Sequence, residues 1–88
     1  MIPLTEPCFI STASGSLYRL TPTTWERLDH HPSSRELRGE TGPLLGIGAP
    51  LAVGAPAILY GPPLTAGTDL RIITTTPLTG ISDRDPRV

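Results

Sequence analysis

From Thr41 to Thr68 the chain contains no charged residue, and such a stretch is long enough to cross a lipid bilayer if it is helical. A proline inside a helix costs about 3 kcal/mol, because it removes an amide donor and clashes with the preceding turn. The sequence therefore predicts no membrane insertion here and favours short strands that end at Pro and Gly turns. The prolines of this stretch are Pro43, Pro50, Pro56, Pro62 and Pro63.

The clearest local signal is a hairpin near the start of the chain. Residues 8–13 (CFISTA) and 16–21 (SLYRLT) both favour strands, and Ser14-Gly15 lies between them. Glycine accepts the positive φ that a tight hairpin turn requires. The first two strands are therefore predicted to pair antiparallel.

The polar stretch 21–39 allows two interpretations. The S/T-x-x-E pattern that caps helices occurs at 23–26 and again at 33–36, so one or two short helical turns would fit. Alternatively, residues 25–28 form a third strand beside the second. We favour the strand, followed by a loop over 29–42.

Two further strands are predicted in the second half of the chain. Residues 70–76 (LRIITTT) are the strongest strand prediction, because β-branched residues dominate them. Residues 57–60 form a shorter apolar strand, and the Pro- and Gly-rich loop 61–69 joins the two into a hairpin. Pro77 interrupts the later strand, so 78–82 either continues it as an edge or bends into another pairing.

Five or six short strands with Pro- and Gly-rich loops predict an all-β fold, a small antiparallel β-barrel or sandwich. The domain is predicted to span 1–82, with a charged C-terminal tail at 83–88. Alternation places Leu70 and Ile72 in the core and leaves Ile73 exposed, which indicates a second buried surface. The predicted core is Phe9, Leu17, Leu20, Trp25, Leu45, Val53, Ile58, Leu70, Ile72 and Ile81.

The charge pattern argues against nucleic acid as a partner. The formal net charge is −1, and acidic residues are interspersed among the arginines of the first half. Binding to phosphates requires a basic face, which this pattern does not supply. Every basic residue is an arginine, and the absence of Lys, Asn and Gln indicates a GC-rich source genome. The arginines that could contribute to a basic face are Arg19, Arg27, Arg35 and Arg38.

No residue pattern predicts catalysis, a cofactor or a metal site. Cys8 is the only cysteine, and it fits a small buried hydrophobe better than a nucleophile. The Asp29-His30-His31 sequence lacks metal-site spacing, since adjacent histidines on a strand point to opposite faces. Ser14 has no G-x-S-x-G context, and no lysine or helix follows 46–48 as a phosphate loop requires. We therefore expect no enzymatic activity.

The aromatic residues suggest a contact surface for a protein partner or for self-association. Aromatic residues near arginines are favoured at interfaces. The only tryptophan of a small domain more often anchors the core, so we favour a core role for Trp25 and keep the interface as the alternative. The possible interface residues are Tyr18, Trp25, Tyr60, Leu64 and Ile73.

Four segments together resemble the layout of small actinobacterial and actinophage proteins: 12–20 (TASGSLYRL), 36–46 (ELRGETGPLLG), 51–60 (LAVGAPAILY) and 70–81 (LRIITTTPLTGI). In those proteins a T-x-S-x-x-Y strand precedes a VG-x-P turn and a closing T-T/S-P-V-T-x-I strand. Leu78 stands where valine is usual. The resemblance implies a source and a compact β fold, but no activity and no site residues.

The long uncharged stretch, the proline-rich connections and the lack of catalytic groups predict a non-enzymatic structural or interaction protein. A capsid-associated or connector subunit of a phage virion would fit this description. The alternative is a small cytoplasmic module that binds a host or phage protein through a strand edge or through loop 29–42. The opening MIPLTEP lacks a secretory signal pattern, so we expect synthesis in the cytoplasm.

Overall fold

The computed structural model describes residues 1–29, 41–63 and 70–87. The strands are β1 (Cys8–Thr12), β2 (Leu17–Leu20), β3 (Thr24–Asp29), β4 (Thr41–Pro43), β5 (Gly46–Ile47), β6 (Pro56–Gly61) and β7 (Arg71–Ser82). They form one antiparallel sheet in the order β4-β3-β2-β1-β7-β6-β5, and the described residues contain no helix. The predicted all-β antiparallel fold is confirmed, with seven strands rather than five or six. The sheet is an open half-barrel, and a closed barrel or sandwich is not confirmed.

β1 and β2 form the predicted hairpin. The N–H of Gly15 donates to the Thr12 carbonyl over 3.0 Å, and the N–H of Thr12 donates to the Ser16 carbonyl over 3.0 Å. Gly15 has a φ of 89°, a left-handed conformation in which a side chain would be strained. The connection is therefore a three-residue loop that glycine closes with a bulge.

The strand interpretation of the polar stretch is confirmed as β3, which pairs with β2. Thr21 reverses the chain between them: its hydroxyl accepts the Thr24 N–H over 2.9 Å, and its own N–H donates to the Thr24 carbonyl over 2.8 Å. Because this turn leads directly into a strand, the helical alternative at 23–26 is wrong. The second capping pattern, at 33–36, lies outside the described residues.

β7 joins the two halves of the sheet. Its first part pairs with β6, as the predicted hairpin requires, and its last five residues pair with β1. Pro77 lies opposite Pro56 where the partner changes, so neither proline deprives the other of a ladder hydrogen bond. The bulge that follows Pro56 directs the Ala57 N–H to the Thr75 hydroxyl, over 3.0 Å. The strand continues through Pro77, so the predicted interruption is wrong, and of the two alternatives for 78–82 the pairing with another strand is confirmed.

The inner face of the half-barrel holds the core. Leu17, Leu20 and Trp25 are buried as predicted, whereas Phe9 and Ile58 are half-buried. The prediction is wrong for five residues that the structure exposes: Leu45, Val53, Leu70, Ile72 and Ile81. The observed core is the cluster Ile10, Tyr18, Leu20, Trp25, Leu44, Ile47, Ala57, Leu59, Ile73 and Leu78.

The two faces of β7 are reversed relative to the prediction. Ile73 is only 8% exposed, whereas Ile72 is 58% exposed. Ile73 lies opposite Leu59, a fully buried residue of β6, so the register between the two strands places Ile73 on the inner face. This segment has apolar residues at both alternating sets of positions, so the pattern alone cannot indicate which set faces inward.

The two edge strands, β4 and β5, are consecutive in the chain and are linked by Leu44 and Leu45. The N–H of Leu44 donates to the Thr23 carbonyl over 2.9 Å, and that of Leu45 donates to the Tyr60 carbonyl over 2.8 Å. Ile2 pairs with the free edge of β5 by exchanging two main-chain hydrogen bonds with Ile47, of 2.7 and 2.8 Å. The N-terminal segment therefore protects the β5 edge.

Candidate interaction surface

The residues predicted for an interface lie in different environments. Tyr18, Trp25 and Ile73 are buried in the core of their own chain. Tyr60 lies half-buried on the outer face of β6, and Leu64 lies outside the described residues. For the three core residues an interface role stays a prediction, and the surface described below does not depend on them.

Trp25 is enclosed by contacts from the neighbouring strand β4 and from β7. A Cβ on Gly42 of β4 would lie 2.8 Å from the indole Nε1, so the indole packs directly on the glycine main chain. From β7, the Arg71 guanidinium lies 5.2 Å from the ring centroid, within the range of a cation–π contact. Trp25, only 1% exposed, therefore links β3 and β4 to the first residue of β7.

Cys8 does not have the surroundings of a reactive thiol. It is half-buried beside the core, and this burial raises the pKa of the thiol. A raised pKa lowers the thiolate fraction at neutral pH, and the thiolate is the nucleophilic and metal-binding form. The described residues also contain no group of His, Cys, Asp and Glu that could hold a metal ion. His30 and His31 lie outside those residues.

The hydroxyl groups around the first hairpin turn are engaged in holding the turn. The Ser16 N–H donates to the Thr12 hydroxyl over 3.1 Å, and the Ser14 N–H donates to the Thr76 hydroxyl over 3.1 Å. The hydroxyls of Ser14 and Thr76 are 3.2 Å apart. These contacts attach the hairpin to β7 and give serine and threonine a structural role here.

Of the four arginines that could contribute to a basic face, the two that the structure describes do not lie on the same face of the sheet. Arg19 is exposed and lies opposite Glu26, whereas Arg27 is buried. Arg35 and Arg38 lie outside the described residues. The outer side of β2 and β3 is therefore mixed in charge.

The C-terminal tail adds a further exposed pair of opposite charges. Asp85 and Arg87 form a 2.9 Å ion pair in the solvent. The hydrogen bond from Arg87 holds the pKa of the Asp85 carboxyl below its usual value. Asp85 also raises the pKa of Arg87, and Asp29 and Glu26 contribute smaller effects in the same direction.

The outer side of β5, β6 and β7 is different, because its side chains form an apolar surface that we call the outer patch. Ile72 lies directly opposite Tyr60 across the two strands, and Ile58 lies opposite Thr74. Directly opposite side chains on one face of an antiparallel pair are in contact distance. The outer patch consists of Met1, Ile58, Tyr60, Leu70 and Ile72.

Two glycines of the β5 segment let these side chains lie flat on the sheet. A Cβ on Gly48 would lie 2.9 Å from the Cβ of Ile58 and 3.1 Å from Cε2 of Tyr60. A Cβ on Gly46 would lie 2.6 Å from Cγ of Met1. The most exposed members of the patch are Met1, at 63%, and Ile72, at 58%.

Sequence reasoning found one member of this surface, Tyr60, and assigned Ile58, Leu70 and Ile72 to the core. The signal that could have indicated the patch is the alternation of small and large residues. Gly46 and Gly48 have no side chains and lie beside two large outer side chains on β6. Two such glycines leave space for large neighbouring side chains only when the glycine positions and those side chains belong to the same face of the sheet.

The described ranges contain no apolar helix of membrane-spanning length. Comparison of the chain with protein-family models, curated proteins and solved structures gives no match.

Proposed function

We propose that this chain is a non-enzymatic structural or interaction protein that binds its partner through the outer patch. The observation that carries the proposal is the division of the outer face of the sheet. Over β2 and β3 the outer face pairs Arg19 with Glu26, whereas over β5 to β7 its described side chains are uncharged and mostly apolar. A connected apolar surface on a small protein commonly marks an interaction site.

The composition of the outer patch fits such a role. Tyrosine and methionine are enriched in interfaces, and lysine and glutamate are depleted. Tyr60 presents a ring supported by Gly48 beneath it, so it loses little conformational freedom on binding. Burying the patch against a partner would remove Ile72 and Met1 from water, at about 25 cal/mol for each Å² of apolar area.

The setting that we propose is a phage particle, in which the chain is a capsid-associated or connector subunit. The uncharged middle of the sequence and the resemblance to actinophage proteins support this setting. A chain of 9.3 kDa buries only about 60% of its unfolded surface, so contacts with neighbouring subunits would add to its stability.

Mass spectrometry of particles purified from the phage that encodes the chain tests this setting. We expect the chain among the particle proteins at a fixed ratio to the capsid protein. Absence from the particles, together with strictly monomeric behaviour in solution, would overturn the proposal. Recovery of a host protein with the chain, and of no particle protein, would support the alternative of a small protein-binding module.

A pair of charge variants tests the surface. Ile72→Asp places a carboxylate in the outer patch, and Thr79→Asp places one on an exposed position of β7 outside it. We expect Ile72→Asp to abolish incorporation into particles and Thr79→Asp to retain it, with both variants folded by circular dichroism. Equal incorporation of the two variants would show that the outer patch is not the contact surface.

A further inference from the structure

Within the part of the chain that the structure describes, the first half of β7 has a strand neighbour on one side only. β7 pairs with β6 from Arg71 to Pro77 and with β1 from Leu78 to Ser82, on its opposite side. β1 ends at Thr12, opposite Leu78, and therefore does not extend along the first half of β7. Among the described residues no strand lies beside this half on the β1 side.

The main-chain groups that point to this open side can be assigned from the hydrogen bonds of β6. Leu45 and Gly48 donate to the carbonyls of Tyr60 and Ile58, so these two β6 residues direct their main-chain groups toward β5. Successive residues of a strand direct these groups to opposite sides, so Leu59 directs its own toward β7.

The same alternation applies to β7. Ile73 is the partner of Leu59, so its N–H and C=O point toward β6. The N–H and C=O of Ile72 and Thr74 consequently point to the open side. We call the segment from Leu70 to Thr75 the open edge.

Apart from Arg71 near its start, the open edge carries no residue that would block the addition of another strand. Natural edge strands usually carry a charge, a proline or a bulge that prevents pairing. From Ile72 to Thr75 there is no charged residue and no proline, and Ile72 and Thr74 are exposed. The hairpin turn marks the far end of the open edge, because Ser14 bonds the Thr76 hydroxyl and Ala13 donates to the Pro77 carbonyl.

We propose that a second copy of this chain pairs with the open edge, so that two β7 strands run antiparallel about a two-fold axis at Ile73. This inference rests on the proposed function and adds a second copy beside the outer patch, which stays available to the partner. With the axis at Ile73, Ile72 of each copy lies opposite Thr74 of the other. Each such pair exchanges an N–H···O=C hydrogen bond in both directions, which gives about four in the interface.

The side chains and charges of the open edge suit this arrangement. Ile72 and Thr74 of both copies meet on the outer face, so the two outer patches become continuous across the axis. Arg71 lies opposite Thr75 of the second copy, so no like charges are juxtaposed. A second copy thus presents a strand of matching length and extended conformation whose central residues, Ile72 to Thr75, are uncharged.

The expected dimer is weak. Pairing of two short edges buries less area than the roughly 1,200–2,000 Å² of a standard stable interface. Only a small surplus then remains after the loss of translational and rotational freedom. We expect a dissociation constant (Kd) of about 10 μM to 1 mM, so the experiment must extend to millimolar protein.

The test uses a substitution that removes an edge-facing donor without disturbing the β6 ladder. Thr74→Pro removes the N–H that points to the open side, and proline is tolerated on such an edge. Thr74→Ala removes the same side chain and keeps the N–H, so it is the matched control. Sedimentation equilibrium and residue-resolved amide exchange are measured for the wild type and both variants from about 10 μM to 1 mM.

We expect the wild type and Thr74→Ala to dimerise over this range and Thr74→Pro to remain a folded monomer. In the wild type the Ile72 and Thr74 amides should become protected from exchange as concentration rises, while the Ile73 amide is protected throughout. If Thr74→Pro does not fold, Ile72→Pro removes the other edge-facing donor in the same way, and the wild-type amide exchange decides independently.

Three outcomes would overturn the inference. One is a wild type that stays monomeric with no change at the two amides. Another is a dimer that survives Thr74→Pro but is lost in Ile72→Asp, which leaves the proposed outer-patch function standing. The last is an open edge that is protected only by a different protein, in which case the occupant is not a second copy.

Discussion

Truncating two neighbouring isoleucines of β7 should lower stability by very different amounts. Ile73→Ala empties part of the core beside Leu59, whereas Ile72→Ala shortens an outer side chain that is 58% exposed. The truncation removes three carbon atoms. At about 0.8 kcal/mol for each buried methylene, the transfer term for Ile73 is about 2.4 kcal/mol, and the cavity raises the loss to about 3–4 kcal/mol.

For Ile72 the same estimate gives a much smaller value. Only about two fifths of the side chain is removed from water, so the transfer term is about 1 kcal/mol and no closed cavity forms. Both variants lose the same strand preference of isoleucine over alanine, at most about 1 kcal/mol, and this cancels in the comparison. Ile73→Ala should therefore be less stable than Ile72→Ala by about 2–3 kcal/mol.

Urea unfolding of the two variants, followed by Trp25 fluorescence at low micromolar protein, measures this difference. The wild-type free energy of unfolding for a chain of 88 residues is expected at about 4–13 kcal/mol, so Ile73→Ala uses a large part of it. If that variant does not fold, Ile73→Val, with an expected loss of about 0.5–1.5 kcal/mol, replaces it. Equal losses at the two positions, or a larger loss at Ile72, would refute the inner placement of Ile73 and with it the outer patch.

Three further predictions follow from the surroundings of single residues. Gly42→Ala should lower the free energy of unfolding by about 1–3 kcal/mol, because the methyl would lie 2.8 Å from the Trp25 Nε1. Gly80→Ala, whose methyl would make only ordinary contacts at 3.9 Å, should change it by less than about 0.5 kcal/mol in the same urea assay. Cys8 should be alkylated more slowly in the native protein than in urea. Because burial raises the pKa of its thiol in the folded state, its contribution to stability is complete below the ordinary value of 9.0 and declines as the pH rises above it. Equal alkylation rates, or a pH slope that Cys8→Ala leaves unchanged, would contradict this. Arg71→Met keeps the stem and removes the charge, so the lost cation–π contact should cost about 0.5–1 kcal/mol and alter Trp25 fluorescence. An unchanged spectrum and stability would mean that this contact contributes nothing.

The parts of the fold that depend on local chemistry were predictable from the sequence. The hairpin follows from Gly15, whose positive φ is a property of the residue and its two neighbours. The strand character of 70–76 follows from its β-branched side chains. Local signals of this kind need no knowledge of which strands meet in space.

The parts that depend on strand register were not predictable. Whether Ile72 or Ile73 faces inward is decided by the partner of Ile73, which is Leu59. The change of partner at Pro77 likewise depends on Pro56 and on the end of β1. The packing of Trp25 on Gly42 involves residues 17 positions apart, and no local sequence pattern indicates it. The outer patch was not predicted for the same reason. With the two faces of β7 assigned the wrong way round, its surface residues were placed in the core.

The uncharged middle of the chain now has a structural explanation that also bears on its partner. On β6, Ala57 and Leu59 face the core, while Ile58 and Tyr60 face outward. A sheet that is solvated on its outer side normally alternates apolar residues with charged or polar ones. Strands that are apolar at both sets of positions are typical of sheets covered on both faces, and here the core of the described residues covers only one face of β6. The outer residues of this strand therefore have the composition of a surface that another molecule covers. If no molecule covers these outer residues, Ile58→Thr should increase solubility and leave particle incorporation unchanged. Its free energy of unfolding should then fall by no more than about 1 kcal/mol.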